Sequence, residues 1–145
     1  MSEIVIVEAV RTPVGKRNGA LREKHPVRMG ADALCELLAR ANLDPSLIEH
    51  VIMGCVSQVG EQTFNLARNV VLDAGLPIET PATTVDFQCG SSQQAVHLAA
   101  GMIASGQIEI AVAGGVENMS RVPMGSSMGS SNPFTDRIMG AYNMI

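Results

Sequence analysis

An α/β fold, with a mostly parallel sheet covered by helices, is predicted by three features of this 145-residue sequence. Short β-branched runs recur without polar alternation, as expected of strands buried on both faces. Between them lie segments whose apolar residues repeat at helical spacing, and Gly or Pro marks the joints. Strands that alternate with helices join by right-handed crossovers, which favours a parallel arrangement.

The first run, Ile4-Val5-Ile6-Val7-Glu8-Ala9-Val10, is expected to be such a strand, broken by Arg11-Thr12-Pro13-Val14-Gly15 and followed by a polar, basic connection to about Pro26. Ala31, Leu34, Leu38 and Ala41 then fall on one face of a helix over 28–42, with Glu36 and Arg40 paired at i,i+4 on another. Asp44-Pro45 supplies a cap and first residue for a short further turn. His50 to Val56 reads as a second buried strand, and a polar loop over 57–63 leads to a helix over 64–74 that Gly75 and Pro77 terminate. A third strand, 83–86, precedes a long helix over 91–105 closed by Gly106, and a fourth strand, 108–113, ends in Gly114-Gly115. Residues 1–120 thus form one core domain. Residues 121–145 are rich in Gly, Ser and Met, show no clear period, and read as a loop region.

Composition narrows the function. Hydrophobic residues make up 46% and charged residues 17%, more apolar than a soluble surface of this size needs, so apolar surface is expected to be covered by something else. No run approaches the ~20 apolar residues that span a bilayer. The amino terminus enters a strand-like run at once, without a secretory or organellar presequence, which predicts a cytoplasmic protein. A net charge of -4, three Phe, one Tyr and no Trp give neither a basic stripe nor a stacking platform, which argues against nucleic acid. Cys35, Cys55 and Cys89 form no CxxC pair and, with three scattered histidines, no metal-ligand pattern. They are expected to be free thiols.

Cys89 stands apart, because Asp86-Phe87-Gln88-Cys89-Gly90-Ser91-Ser92 places it where a strand meets the start of a helix. The unpaired N–H groups and positive dipole end of a first helical turn favour thiolate over thiol. Gly90 permits close approach of backbone or substrate, and N–H groups at the turn suit an oxyanion formed in acyl transfer. The competing reading is that buried cysteines generally serve as packing groups. Packing is the reading for Cys35, mid-helix beside Leu34 and Leu38, and for Cys55, in an apolar strand.

Four segments resemble the thiolase family in order and spacing. They are Val7-Glu8-Ala9-Val10-Arg11-Thr12-Pro13-Val14-Gly15, Asn65-Leu66-Ala67-Arg68 through Gly75-Leu76-Pro77, Cys89-Gly90-Ser91-Ser92-Gln93-Gln94-Ala95, and Gly114-Gly115-Val116-Glu117-Asn118-Met119-Ser120. The resemblance implies a thiolase-like layered fold whose first core domain is incomplete here, with 121–145 beginning a loop domain. It also implies reversible acyl transfer between coenzyme A thioesters: thiolysis of a 3-ketoacyl-CoA or the reverse Claisen condensation. Cys89 would be the nucleophile that carries the acyl group. Coenzyme A would be substrate and product, with no permanently bound cofactor and no metal, and the complete protein would be a homodimer or homotetramer. The activating histidine, the second cysteine and an Asn-containing oxyanion motif belong to the family's carboxyl-terminal half, so the 145-residue chain reads as truncated and inactive by itself.

Ser92 departs from the glycine most common at its motif position. Tyr142-Asn143-Met144 faintly resembles a segment that shapes the acyl pocket, making Met144 a candidate substrate contact, although Asn143 stands where short-chain enzymes carry histidine. The Cys-Gly-Ser-x-Gln-Gln-Ala-x-His pattern is closer to thiolases of sterol and other bulky acyl-CoA breakdown. A non-catalytic module of the same fold and a decarboxylating condensing enzyme of the superfamily are the rivals.

His97 should lie two turns into its helix, roughly 12 Å along the axis from Cys89 at ~1.5 Å per residue, too far to act as its base. His25 and His50 are expected in solvent. Gly114-Gly115 lacks the rest of a phosphate loop and is read as close packing. The methionines at 119, 124, 128, 139 and 144 are read as filling an interface.

Overall fold

Three parallel strands form the sheet, in the order β2-β1-β3, with β1 at His50–Gly54, β2 at Ala82–Val85 and β3 at Ala111–Gly115. The computed structural model describes residues 3–142. Among the described residues, four α-helices accompany the sheet: α1 Pro26–Ala41, α2 Leu66–Asp73, α3 Ser91–Ala104 and α4 Asp136–Tyr142.

Central β1 alternates its side chains between two cores, as a pleated strand must. Val51 and Met53 join Leu34, Leu38, Leu66, Val70 and Val71 of α1 and α2 on one face. Ile52 meets Ala95 and Ala99 of α3 on the other. Connectivity requires this split. From β1 through α2 to β2 the chain steps one way across the sheet, and from β2 through α3 to β3 it steps back past β1, so crossovers of one hand put α2 and α3 on opposite faces.

Local chemistry sets the helix ends. Pro26 opens α1 behind His25, whose Nδ1 accepts from Val27 N, and Asn42 ends it in the left-handed region at φ 48. Asn65 caps α2 through a hydrogen bond from Arg68 N, and Gly75 (φ 76) and Gly106 (φ 71) follow the ends of α2 and α3 as their positions predict. Asp44 caps the turn over Pro45–Leu47.

Two expectations are corrected. Residues 4–10 form no strand: Ile4, Val5, Ile6 and Val7 are 41%, 63%, 80% and 80% exposed. β-branched composition favours extended backbone only where a partner offers hydrogen bonds and an apolar face. Both edges of β1 are taken by β2 and β3, and the run joins no ladder. The 121–145 region is not wholly loop either, since it carries a short turn at Ser126–Met128 and α4.

Past β3, the chain is tied to the rest by buried polar groups. Asn118 donates from Nδ2 to Leu21 O (3.0 Å) and Lys24 O (2.9 Å), and its backbone N–H donates to Gln62 Oε1 (2.9 Å). Gln62 is itself fully buried and donates to Ser57 O (2.8 Å). Arg121 grips Glu61 with two nitrogens, and this pairing holds the Glu61 carboxyl below its ordinary range. An Asn118→Ala chain leaves the carbonyls of Leu21, Arg22 and Lys24 without this donor and is expected to lose about 1–3 kcal/mol of stability. Urea denaturation measures this, and an unchanged midpoint would refute the role.

Candidate functional site

The C-terminal ends of all three strands converge on one recess, the edge where parallel α/β sheets present their ligand sites. Its volume is about 180 Å³, and it is lined by Gly54 at the end of β1 and Cys55 just after it, Cys89 after β2, Gly115 at the end of β3 and Glu117 after it. A broader depression of about 630 Å³ lies between α1 and α2, lined by His25, Arg28, Glu61, Phe64 and Asp73. It contains no cysteine, and its Arg28 is already paired with Asp32 and Asp73.

Cys89 is exposed and stands two residues before α3, with Gly90 at the N-cap and no side chain capping the helix. Ser91 N is already taken by Gln88 O at 3.0 Å, which leaves the first-turn N–H groups of Ser92 and Gln93 without an acceptor among the described residues. A tight turn aims the thiol. Gln88 adopts φ 49, a left-handed conformation that costs a non-glycine residue about 1–3 kcal/mol. Three hydrogen bonds hold it: Asp86 Oδ1 accepts from Gln88 N (2.8 Å), while Ser91 Oγ accepts from Phe87 N (2.8 Å) and donates to Gln88 O (2.5 Å). At about 0.5–1.5 kcal/mol net apiece they are sufficient to offset that strain.

Cys55 shares the recess under opposite conditions. It is 1% exposed, Gln62 Nε2 lies 3.5 Å from its Sγ, and burial, followed by the negative charges of Glu117 and Asp86, pushes its thiol from 9.0 up to about 12. It packs, as expected. Glu117 is fixed by Ser57 N, which donates to Oε1 at 2.9 Å.

The remaining candidates separate. His97 is exposed along α3, His25 caps α1, and His50 Nε2 pairs with Thr83 Oγ1 at 3.0 Å. Cys35 is exposed, with its thiol 3.6 Å from Ala74 O, so the core-packing expectation fails: α1 turns this position away from Leu34 and Leu38. Gly115 meets α3 closely, whereas Gly114 has no neighbour within 4 Å of a side-chain position. Met119, Met124 and Met128 are exposed. Asn143 and Met144 lie outside the described residues. Among the described residues, no three His, Cys, Asp or Glu side chains gather as a metal site.

Reading the sequence did not single out Gly54, Ser91 or Glu117. A signal existed for Gly54, since a glycine inside an apolar strand often marks close backbone approach. Ser91 acts through hydrogen bonds to Phe87 and Gln88 that follow from the shape of the turn, and Glu117 through a contact with Ser57, 60 residues away, that spacing does not reveal.

The thiols make a testable set. Iodoacetamide is expected to label Cys35 and Cys89 in the folded chain and Cys55 only after denaturation, as read by peptide mass spectrometry. Because folding raises the Cys55 value from 9.0 to about 12, the unfolded thiol loses its proton first. Stability is therefore intact below pH 9.0 and falls as pH rises toward 12. Urea titrations across that window should show a shallower loss for Cys55→Ala, and equal slopes would contradict the assignment.

Comparison with known proteins places these features in a family. The family model described as the N-terminal domain of thiolase matches residues 4–141. A steroid 3-ketoacyl-CoA thiolase of Mycobacterium tuberculosis is 52% identical over 128 residues, covering 88% of this chain and 31% of that protein. A 3-ketoacyl-CoA thiolase of Saccharophagus degradans is 48% identical, covering 84% of this chain and 32% of that protein. Another, of Aliivibrio salmonicida, is 42% identical and covers 100% of this chain and 38% of its own length. The chain spans about a third of the length of these curated relatives. With a match across nearly its whole length, the chain belongs to the thiolase family and represents its N-terminal domain.

Proposed function

We propose that this chain is the part of a thiolase-type acyltransferase that carries the acyl-accepting thiol, Cys89. The supporting observation is an exposed cysteine immediately before the uncapped N-terminus of α3, at the rim of a recess formed by the ends of three parallel strands. In thiolysis, the Cys89 thiolate attacks the C3 carbonyl of a 3-ketoacyl-CoA. The C2–C3 bond breaks, its electron pair leaves with the two-carbon CoA fragment, and a proton completes acetyl-CoA. The shortened acyl group remains on Sγ as a thioester until the thiol of a second coenzyme A displaces it and Cys89 recovers its proton. The backbone N–H of Cys89, which the hydrogen bonds of the turn leave without an acceptor, stabilises the oxyanion at each addition.

The acyl class is 3-ketoacyl-CoA of bulky chains, a reading favoured by the motif around Cys89 and by the 52% identity to a steroid 3-ketoacyl-CoA thiolase. Coenzyme A enters and leaves as substrate, without a resident cofactor. Residues 121–145 open a loop domain in which Met144 touches the acyl chain, and the complete protein works in the cytoplasm as a homodimer or homotetramer. None of the chain's three histidines lines the recess. The activating base therefore comes from the downstream half that the longer relatives possess, and turnover requires that half. Among the described residues, no helix is long and apolar enough to cross a membrane.

Acyl trapping tests the assignment. In the complete enzyme, incubation with a 3-ketoacyl-CoA should leave the shortened acyl group on the Cys89 peptide, removable by free coenzyme A. Cys89→Ala should abolish the adduct and lower thiolysis by roughly 10³-fold or more. A fully active Cys89→Ala enzyme would sink the proposal.

A further inference from the structure

Gly54 and Gly115 face each other across the β1–β3 ladder, and the first turn of α3 rests on both. A methyl group on Gly54 would run into the backbone of Ser91 and Ser92 and stand 2.8 Å from Ser91 Cβ. On Gly115 it would overlap Ser92 Oγ, at 3.1 Å from Ser92 Cβ and 2.7 Å from Gly54 O. Neither glycine has a positive φ. Space, and not backbone conformation, demands glycine at these two positions.

The helix face turned to the sheet consists of Ser91, Ala95 and Ala99, one small residue per turn, buried to 4%, 0% and 7% exposure, with Ser91 against Gly54 and the two alanines against Ile52. Ser91 also extends the contact to the nucleophile turn, since its hydroxyl bonds both Phe87 N and Gln88 O. A displacement of the first turn of α3 therefore passes through Ser91 into residues 87–88 and on to Cys89. Packing this close leaves no slack to absorb it.

We propose that Gly54 and Gly115 are positioning residues, which set the location of Cys89 by seating Ser91 and Ser92 against the ends of β1 and β3. Ser92 is the adjustable partner on the Gly115 side: its side chain is what a larger residue there would meet first. The departure from glycine at position 92 is thus tolerated because position 115 is glycine. This inference deepens the reading of Cys89 as acyl acceptor, but its test does not depend on acyl transfer.

The measurement is the rate of Cys89 carboxamidomethylation relative to Cys35, an exposed reference thiol in the same chain, read by mass spectrometry. Gly115→Ala should change this ratio by roughly threefold or more, since a misplaced reacting group loses rate steeply. Adding Ser92→Gly should return the ratio part of the way to the parent value, because it removes the contact with Ser92 and leaves the one with Gly54 O at 2.7 Å. An unchanged ratio in folded Gly115→Ala, or a changed ratio that Ser92→Gly leaves in place, overturns the proposal. If Gly115→Ala alone fails to fold, a double variant that folds supports the proposal, and one that remains unfolded overturns it. Failure of acyl trapping at Cys89 would instead remove the acyl-transfer reading and leave these ratios as they stand.

Discussion

The close approach of α3 to the ends of β1 and β3 is the contact on which the rest of the site depends. Helices usually pack on sheets through large side chains, but here serine and alanine face a strand pair that ends in glycine. Little apolar area is buried by such residues, so the larger core formed by α1, α2 and β1 on the opposite face supplies most of the hydrophobic stabilisation. What the thin interface provides is proximity. It brings an uncapped helix terminus to the edge of the sheet, where the loops after all three strands meet.

That division of labour explains how two thiols in one recess come to differ. Cys55 follows the central strand into the interior, where neighbouring carboxylates and exclusion from water both disfavour its charged form. Cys89 follows an edge strand through a left-handed turn to the surface, beside a helix terminus that favours negative charge. The turn is strained and is held by side chains on both sides of the cysteine. Asp86 and Ser91 act as braces, and neither is part of the proposed chemistry.

Much of the fold was legible in the sequence because its signals are local. Helix α1 was readable from the spacing of Ala31, Leu34 and Leu38, and α2 and α3 from the glycines that end them. The run from Ile4 to Val10 misled because β-branched residues report a preference for extended backbone and say nothing of whether an edge is free to receive it. Cys35 misled for a related reason: helical spacing placed it beside core residues in sequence, while the 100° step per residue turned it outward. Glu117, Gln62 and Asn118 gave no local sign, since each has a partner between 56 and 97 residues away.

The sequence by itself determined the alternation of strands and helices, the family motifs and the placement of one cysteine at a strand-to-helix joint, because each rests on spacing within a dozen residues. Only the tertiary structure decided which strands pair, which thiol is excluded from water, and which glycines are needed for space. Those outcomes depend on segments far apart in the chain competing for the same few ångströms, and no local pattern records who occupies them.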